Sequence, residues 1–172
     1  DNRLCGRCGH RLIQRSDERA HLCEACGNTV YPRINPAVIV GVLKKDRILI
    51  TRYRTGCGHN ALVAGFTEIG ETMEQTVERE VMEETGLTLI EYKPRGIVTF
   101  IYGNADTPDE RIVEYMHLYT SSSFEGDLTV CDEGVLEWIP KSEVYNLPIW
   151  EGDKIFFKLL EERDDYFSLK LV

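Results

Sequence analysis

The sequence contains no long hydrophobic run. Its longest apolar stretch, AVIVGVL from Ala37, is far shorter than the roughly 20 residues that a helix needs to cross a bilayer. The first residues also lack the positively charged segment followed by an apolar one that is typical of a secretory leader. We therefore expect a soluble, cytoplasmic protein that has no membrane partner.

Positive charge is scarce as well. The chain has 20 Lys and Arg residues against 29 Asp and Glu residues, and its net charge is -9. Nucleic-acid binding depends on Lys and Arg, which displace counterions from the phosphate backbone, so this composition disfavours a nucleic-acid partner. A small anionic substrate would need a metal ion or a local basic patch to offset the negative field.

Cysteine is used unevenly. Four of the six cysteines form two C-x2-C pairs, each followed by glycine: Cys5, Cys8, Cys23 and Cys26. Four thiolates at this spacing bind one tetrahedral Zn2+, and they leave no position for the nearby His10 and His21, which we expect at the surface. Two disulfides are the alternative, but the lone Cys57 and Cys131 and the lack of a leader argue against an oxidising compartment. We therefore predict a structural zinc ribbon.

The length of 172 residues is enough for one well-packed domain with a small appendage. We predict a zinc ribbon over residues 1–31 and a main domain over residues 32–172, divided at YPRINP, where Pro32 and Pro36 disfavour helix. The sequence leaves open whether the chain forms a homodimer.

Apolar and β-branched segments predict the strands of the main domain. AVIVGVL and RILITRY read as a hairpin or as neighbouring strands, and GIVTFIY, IVEYMHLYT and GVLEWIP read as later strands, with a turn at GNADTPDE. GDKIFFKLLEE has apolar residues at helical spacing and predicts an amphipathic helix that packs on the sheet. The predicted fold class is therefore mixed α/β.

A second helix is indicated by its end signals. Thr72 and Gln75 have the spacing of a capping box, and Gly86 stands where a helix ends in a left-handed residue, so we predict a helix over roughly Met73–Thr85.

Three carboxylates bunch at the far end of this helix. Glu80 and Glu84 lie one turn apart with Glu83 beside them, so all three point towards nearly the same volume. Like charges at this spacing repel, and carboxylates near a helix C-terminus oppose the macrodipole. Mg2+ or Mn2+, which prefer oxygen ligands, would explain the cluster. A solvated acidic face is the alternative.

The whole segment from residue 65 to residue 87 resembles the Nudix box, G-x5-E-x7-R-E-U-x-E-E-x-G-U, where U is a bulky aliphatic residue. The chain matches the pattern at every fixed position, with Gly65, Glu71, Arg79, Glu80, Val81, Glu83, Glu84, Gly86 and Leu87. The resemblance implies an α/β/α sandwich and a pyrophosphohydrolase that cleaves a nucleoside diphosphate linked to another group, with divalent cations on the box helix.

The resemblance also implies roles for individual residues. Glu80, Glu83 and Glu84 take the metal-ligand positions, with the Ala64 carbonyl as a further ligand. Arg79 and Glu71 hold the geometry of the loop and helix, and Glu83 and Arg79 belong to the catalytic group. A carboxylate from a later loop approaches the metals in many members, and Glu133 is the best match for it, with Glu137 a weaker one.

Two parts of the chain resemble different branches of the family. The four-cysteine ribbon and LVAGFTEIGET look like the NADH pyrophosphatases, but EYKPRGIVTFIYG stands where that branch has an SQPWPFPxS-like segment. IVEYMHLYT, FEGDL, DEGVLEWIP and LPIWEGDKIFFKLLEE resemble the 8-oxo-dGTP diphosphatases, in some of which a W-x-x-D segment binds a purine. That segment would correspond to Trp150 and Asp153.

The substrate therefore remains divided between two nucleotide classes. We expect a purine nucleoside triphosphate, oxidised or not, with an NAD(H)-like dinucleotide as the alternative. If Trp150 and Asp153 do not bind a base, Trp150 is a packing residue and Asp153 caps the last helix near Lys154. A hypothesis of another class is a non-catalytic adaptor that senses a nucleotide.

Overall fold

The computed structural model describes residues 3–31, 36–54, 58–104, 107–131 and 134–172, without the side chains of residues 104 and 107–111. The chain divides into two compact units, Asp1–Ile34 and Asn35–Val172. Residues 32–35, where the connector is predicted, lie outside the described residues, as does Cys57. The domain boundary between residues 31 and 32 therefore stays a prediction.

The first unit is a small antiparallel sheet of three two-residue strands. These strands are β1 (Ile13–Gln14), β2 (His21–Leu22) and β3 (Thr29–Val30), and β2 lies in the middle. Its hydrophobic cluster contains the buried residues Cys5, Leu12 and Cys23, with Cys26 and Val30 packed against them. A core of this size is too small to stabilise a fold on hydrophobic burial alone, so a metal ion or another crosslink is expected.

The second unit is built on one mixed sheet of eight strands. Its main path runs β10-β5-β4-β9-β8-β11, while β6 pairs with β5 and β7 pairs with β4. The β4–β9 and β8–β11 pairs are parallel, and the other pairs are antiparallel. The strands are β4 (Ala37–Lys44), β5 (Arg47–Tyr53), β6 (Asn60–Ala61), β7 (Val63–Phe66), β8 (Thr88–Asn104), β9 (Thr107–Glu125), β10 (Gly134–Pro140) and β11 (Phe167–Leu171).

Helices cover both faces of this sheet. They are α1 (Met73–Thr85) and α2 (Glu151–Glu162), and a short 3-10 helix spans Lys141–Asn146. The buried side chains of β4 alternate between two cores: Val38, Val40 and Val42 join Val77 and Val81 of α1, and Ile39 joins Phe156 and Phe157 of α2. The predicted α/β/α sandwich is confirmed. Among the described helices, none is long and apolar enough to span a membrane.

The first two predicted strands of the main domain form the hairpin β4–β5. Lys44 pairs with Arg47, and Lys45 in the two-residue turn has a φ of 59°. The predicted strand GVLEWIP is confirmed as β10. The predicted strands GIVTFIY and IVEYMHLYT are confirmed but are shorter than the observed ones, because β8 continues to Asn104 and β9 begins at Thr107, inside the predicted turn. Register shifts along the β8–β9 pair accommodate this length.

The last strand, β11, was not predicted. It pairs in parallel with β8, with Phe167 opposite Gly96. A side chain at Gly96 would place its Cβ 2.4 Å from the backbone oxygen of Phe167, so the close approach of these strands requires glycine. The pairing joins segments far apart in sequence, which explains why a local pattern did not reveal it.

Candidate active site and zinc ribbon

The end signals of α1 form the hydrogen bonds that the sequence predicts. The backbone N–H of Gln75 donates to Thr72 Oγ1 at 3.2 Å, and the backbone N–H of Thr72 donates to Gln75 Oε1 at 2.9 Å. At the other end, Gly86 has a φ of 77° and its N–H donates to the Met82 carbonyl at 2.9 Å. The predicted bounds Met73–Thr85 are confirmed, so Glu80, Glu83 and Glu84 all lie in the last turns of one helix.

Gly65 on β7 makes room for a carboxylate of the helix. A Cβ built on Gly65 would lie 2.0 Å from the carboxyl carbon and from Oε1 of Glu80. Any side chain at this position would therefore displace Glu80. The carboxylate lies against the backbone of β7, one residue after Ala64, whose carbonyl is the further ligand that the box implies.

Arg79 connects the loop to the helix through several hydrogen bonds. Its guanidinium donates to both carboxylate oxygens of Glu71, at 2.6 and 2.9 Å, and to the Phe66 carbonyl at 3.0 Å. It also donates to Glu80 Oε1 at 2.8 Å and to Glu83 Oε2 at 3.3 Å. A planar fork of donors suits such bidentate pairing, so Arg79 fixes the loop and two glutamates at once.

Glu71 is held in its charged form. The hydrogen bonds from Arg79 contribute most, and the Glu68 N–H and the Thr76 hydroxyl also donate to the carboxylate, at 2.9 and 3.0 Å. Together these donors lower the pKa of Glu71 to about 2. Arg79, in turn, has a raised pKa, chiefly because it donates to Glu71. The pair therefore stays ionised across the physiological range.

The three glutamates of the cluster lie in different environments. The side chain of Glu80 is 13% exposed and that of Glu83 is 64% exposed, while Glu84 is buried. The sequence predicts that all three point towards nearly the same volume, but among the described residues the three carboxylates do not form the compact group of ligand atoms that a preformed metal site would show. Arg79 binds one oxygen each of Glu80 and Glu83, and Glu84 is buried.

Of the two carboxylates proposed from later in the chain, only Glu137 lies among the described residues. Glu133 lies outside the described residues, so its catalytic role stays a prediction. Glu137 lies on β10, and its carboxylate accepts a hydrogen bond of 2.5 Å from Arg52 on the neighbouring strand β5. This ion pair gives Glu137 a partner at the edge of the sheet.

Trp150 lies on the surface at the start of α2. Its side chain is 58% exposed, so it is not the core residue of the alternative interpretation. The imidazole of His59 stacks on the indole, with ring centroids 4.3 Å apart and planes 4° apart. The sequence analysis missed His59, because a single histidine in a glycine-containing loop follows no pattern. The contact arises only when the loop folds against α2.

Asp153 is buried in the first turn of α2. The helix begins at Glu151 and its N-cap position is Trp150, so the alternative in which Asp153 caps a helix starting near Lys154 is wrong. Burial raises the pKa of Asp153 to about 6, and a backbone hydrogen bond with Trp150 offsets only part of this effect. No arginine or lysine forms an ion pair with Asp153 among the described residues, in contrast to Glu71.

The four cysteines of the first unit converge on one point. Their sulfur atoms all lie within 4.8 Å of one another, and Cys8 Sγ is 3.4 Å from Cys23 Sγ and 3.3 Å from Cys26 Sγ. Zinc–sulfur bonds of about 2.3 Å in a tetrahedron put the sulfurs roughly 3.8 Å apart, so this geometry fits Zn2+. All four thiols are free, and the disulfide alternative is wrong.

Backbone turns shape the two knuckles. Gly9 donates to the Cys5 carbonyl and Gly27 donates to the Cys23 carbonyl, each at 2.8 Å, and both glycines have positive φ. Asn28 Nδ2 donates to Cys5 Sγ at 3.5 Å and would support a thiolate there. The two knuckles therefore bring the four sulfurs together before any metal is considered. His10 is exposed, as expected, and His21 is half-buried in β2.

Comparisons with known proteins agree with this geometry. The NADH pyrophosphatase zinc ribbon domain matches residues 1–31, and the NUDIX domain matches residues 33–160. The NAD-capped RNA hydrolase NudC of Haemophilus influenzae (strain PittGG) is 33% identical over 157 residues, which are 89% of this chain and 53% of that protein. The chain thus spans about half the length of this curated relative.

Solved structures show the same fold. A NUDIX hydrolase from Nitrosomonas europaea has a TM-score of 0.71 at 19% identity, and the match covers 99% of this chain and 98% of that one. The mutator MutT protein from Bacillus halodurans has a TM-score of 0.69 at 27% identity, with 80% and 90% coverage. With an intact box on α1 and a family model that matches most of its length, the chain belongs to the Nudix hydrolase family and carries a zinc ribbon of the NADH pyrophosphatase type.

Proposed function

We propose that the chain is a divalent-metal-dependent pyrophosphohydrolase that cleaves NAD(H) or an NAD-like dinucleotide into two mononucleotides. The observation that carries the proposal is the NADH pyrophosphatase zinc ribbon, matched over residues 1–31 directly before the Nudix match. The name of the NudC relative, an NAD-capped RNA hydrolase, supports the same linkage as the target. Both favour the dinucleotide over the purine triphosphate that the later segments of the sequence suggested.

The donor set of α1 fits a hard divalent cation. One oxygen each of Glu80 and Glu83 bonds to Arg79, which leaves the second oxygen of each carboxylate for a metal ion. Gly65 provides the room in which Glu80 reaches the backbone beside Ala64. Mg2+ or Mn2+ held by these oxygens and Glu84 would offset the charge of a pyrophosphate and acidify an attacking water.

The residues of the chain then have separate roles. Glu83 is the most exposed of the three glutamates, and we assign to it the removal of a proton from the attacking water. Arg79 positions Glu80 and Glu83 and, through Glu71, ties the box loop to the helix. Glu133 remains a candidate for a further carboxylate.

A purine nucleoside triphosphate is the second candidate substrate, and one observation favours it. Trp150 presents an exposed ring, and Asp153 is a buried carboxylate in the adjacent turn. A base could stack on the indole while Asp153 binds its edge. Asp153→Ala should then lower kcat/KM for purine triphosphates by a factor that corresponds to roughly 1–3 kcal/mol of lost transition-state binding. The kcat/KM for pyrimidine substrates should change much less.

The experiment that tests the proposal compares substrates under one condition. Purified protein with Mg2+ would receive NADH, NAD+, ADP-ribose, dGTP and 8-oxo-dGTP, with products separated by chromatography. We expect NADH to give AMP and reduced nicotinamide mononucleotide with the highest kcat/KM. Faster hydrolysis of a purine triphosphate would transfer the assignment to the second candidate, and binding without turnover of any substrate would favour the nucleotide-sensing adaptor.

An RNA carrying a 5′ NAD end would be added to the same panel. The net charge of -9 disfavours contacts with an RNA backbone, so we expect free NAD to be cleaved at least as well as the same group on RNA. A clear preference for the RNA would place nucleic acid among the partners and contradict the expectation drawn from charge.

A further inference from the structure

Arg95 is a buried cation on β8 that contacts the end of α2. Only 7% of its surface is exposed. Its guanidinium donates to the carbonyl oxygens of Leu160, at 3.2 Å, and Arg163, and to Thr120 Oγ1 at 3.4 Å. The two carbonyls belong to the C-terminal end of α2, where the helix dipole favours a positive charge. These contacts explain why an arginine lies here but leave its charge uncompensated.

No carboxylate forms an ion pair with Arg95 among the described residues. Asp165 is influenced by the charge of Arg95, but its carboxylate is bonded to Arg163 at 2.6 Å and is largely exposed. The Nε atom of Arg95 is buried and has no hydrogen-bond partner. A buried guanidinium with neutral partners retains much of its desolvation cost, so an additional anion or a water molecule would stabilise it.

A cavity of about 260 Å3 adjoins this arginine. Most of its lining is apolar, and the polar residues include a second cation, the half-buried Lys141, which forms no ion pair in the described ranges. Glu161 also lines the cavity, but it is exposed and its Oε2 accepts a hydrogen bond of 3.1 Å from Tyr145.

We propose that this cavity binds a small organic anion, with a carboxylate against Arg95 and Lys141 and an apolar body against Phe157 and Leu160. Two cations and one carboxylate give the lining a net positive charge, in a chain whose overall charge is -9. The apolar walls favour an anion that carries a hydrocarbon or aromatic group over a bare inorganic ion. The cavity is lined by residues of the hydrophobic core that α2 forms with the sheet. This core lies on the face of the sheet opposite to α1, so the cavity is separate from the box.

Benzoate is a suitable probe, because it combines a carboxylate with a flat apolar ring. The full chain labelled with 15N would be titrated with benzoate and followed by amide chemical shifts. We expect saturable shifts at Thr120 and Leu160, and we expect benzamide, which has the same shape without the charge, to bind at least about tenfold more weakly. Inorganic phosphate should bind more weakly than benzoate.

A pair of lysine variants tests the charge. Lys141→Gln removes the second cation of the cavity and should weaken benzoate binding by about fivefold or more, while benzamide binding should change little. Lys158→Gln is the matched control, because Lys158 lies on α2, outside the cavity, and pairs with Glu162 at 3.7 Å. Arg95 itself is a poor first target, since its loss removes contacts at the end of α2.

Several results would overturn the proposal. If benzoate causes no saturable shift, Arg95 Nε is satisfied by water. Equal binding of benzamide and benzoate would make the cavity a purely apolar one, and phosphate binding tighter than benzoate would make it a site for inorganic anions. Equal weakening by Lys141→Gln and Lys158→Gln would assign the effect to general surface charge.

Discussion

The two groups of metal-ligand side chains in this chain differ in how far the protein alone brings them together. The four cysteine sulfurs already lie within 4.8 Å of one another, whereas the glutamates of α1 form no such group in the described structure. Thiols can be neutral and pack closely, but three carboxylates repel one another. Arg79 reduces this repulsion by binding Glu80 and Glu83. A structural site can thus be preformed, while a catalytic one keeps open oxygens for its cation.

The largest effect should come from breaking the cysteine group. Cys23→Ser replaces a buried ligand, and we expect the zinc content to fall from about one ion per chain to nearly none, with loss of ordered structure in the first unit. Metal analysis and amide NMR spectra would measure both changes. Cys131→Ser is the control, because Cys131 is also buried and free but lies outside the group, and it should keep its zinc.

Two results would contradict the assignment of a zinc ribbon. If carefully purified protein contained no zinc and its four cysteines were joined as disulfides, the ribbon assignment would be wrong. Zinc bound equally well by Cys23→Ser would also contradict it.

The second largest effect should come from removing one charge from the glutamates of α1. Glu83→Gln keeps the shape of the side chain and removes its charge, so we expect kcat to fall by a factor on the order of 10² or more, while the zinc content and thermal stability stay unchanged. Hydrolysis of NADH with Mg2+ would measure the loss. Near-normal activity would remove the catalytic interpretation of the helix.

Glu78→Gln is the matched control for this experiment. Glu78 lies on the same helix, but its Oε1 accepts a hydrogen bond of 2.8 Å from Tyr92, away from the Arg79 network. We expect activity within about threefold of the unmodified protein, since Glu78 takes no part in the ion pairs of Arg79 and its substitution should leave the fold stable to within a few tenths of a kcal/mol. An equal loss in both variants would mean that the helix responds to any change in charge.

The sequence predicted those parts of the fold that depend on local chemistry. The bounds of α1 followed from Thr72, Gln75 and Gly86, because capping is decided within one turn. The hairpin β4–β5 followed from its apolar segments, and the two cysteine knuckles followed from their spacing.

Contacts between distant segments were beyond the sequence. The strand β11 is defined by its parallel pairing with β8, and the stack of His59 on Trp150 forms across a loop and a helix. The orientation of Glu80 and Glu83 depends on which residues Arg79 contacts, and spacing along a helix does not contain that information. The first two contacts are made with residues that lie elsewhere in the chain, and the orientation of the glutamates depends on the balance of competing charges.

The fold shifts the pKa values of two carboxylates, Glu71 and Asp153, in opposite directions. Glu71, held by Arg79, has a lowered pKa, whereas burial raises the pKa of Asp153 from its ordinary 3.8 to about 6. A raised carboxyl pKa means that the folded protein binds the proton of Asp153 more tightly than the unfolded protein does. The protonated carboxyl therefore contributes stability that is fully present below about pH 4. This contribution is lost as the pH rises through about 6. Asp153→Asn should therefore change stability little at pH 4 and increase it by roughly 1–3 kcal/mol at pH 7.5.

Denaturant unfolding at the two pH values would measure this difference. Glu151→Gln serves as the control, because Glu151 is exposed in the same turn and pairs only at the surface with Lys154. An effect of Asp153→Asn that is the same at pH 4 and pH 7.5 would show that the site depends on packing or hydrogen bonding and not on ionisation.

The smallest expected effect concerns His59 and its stack on Trp150. A ring 4.3 Å away and nearly parallel restricts the rotation of an exposed indole, which would favour base binding if Trp150 is the base-binding residue that we propose. His59→Ala should remove this restraint and raise KM for the preferred nucleotide by about two- to tenfold, which corresponds to the 0.5–1.5 kcal/mol typical of an aromatic pair, with kcat unchanged. His59→Phe keeps a flat ring and should restore most of the affinity. If the phenylalanine variant behaves like the alanine variant, the imidazole acts through its nitrogen atoms and not through stacking, and Trp150 needs no support from a second ring.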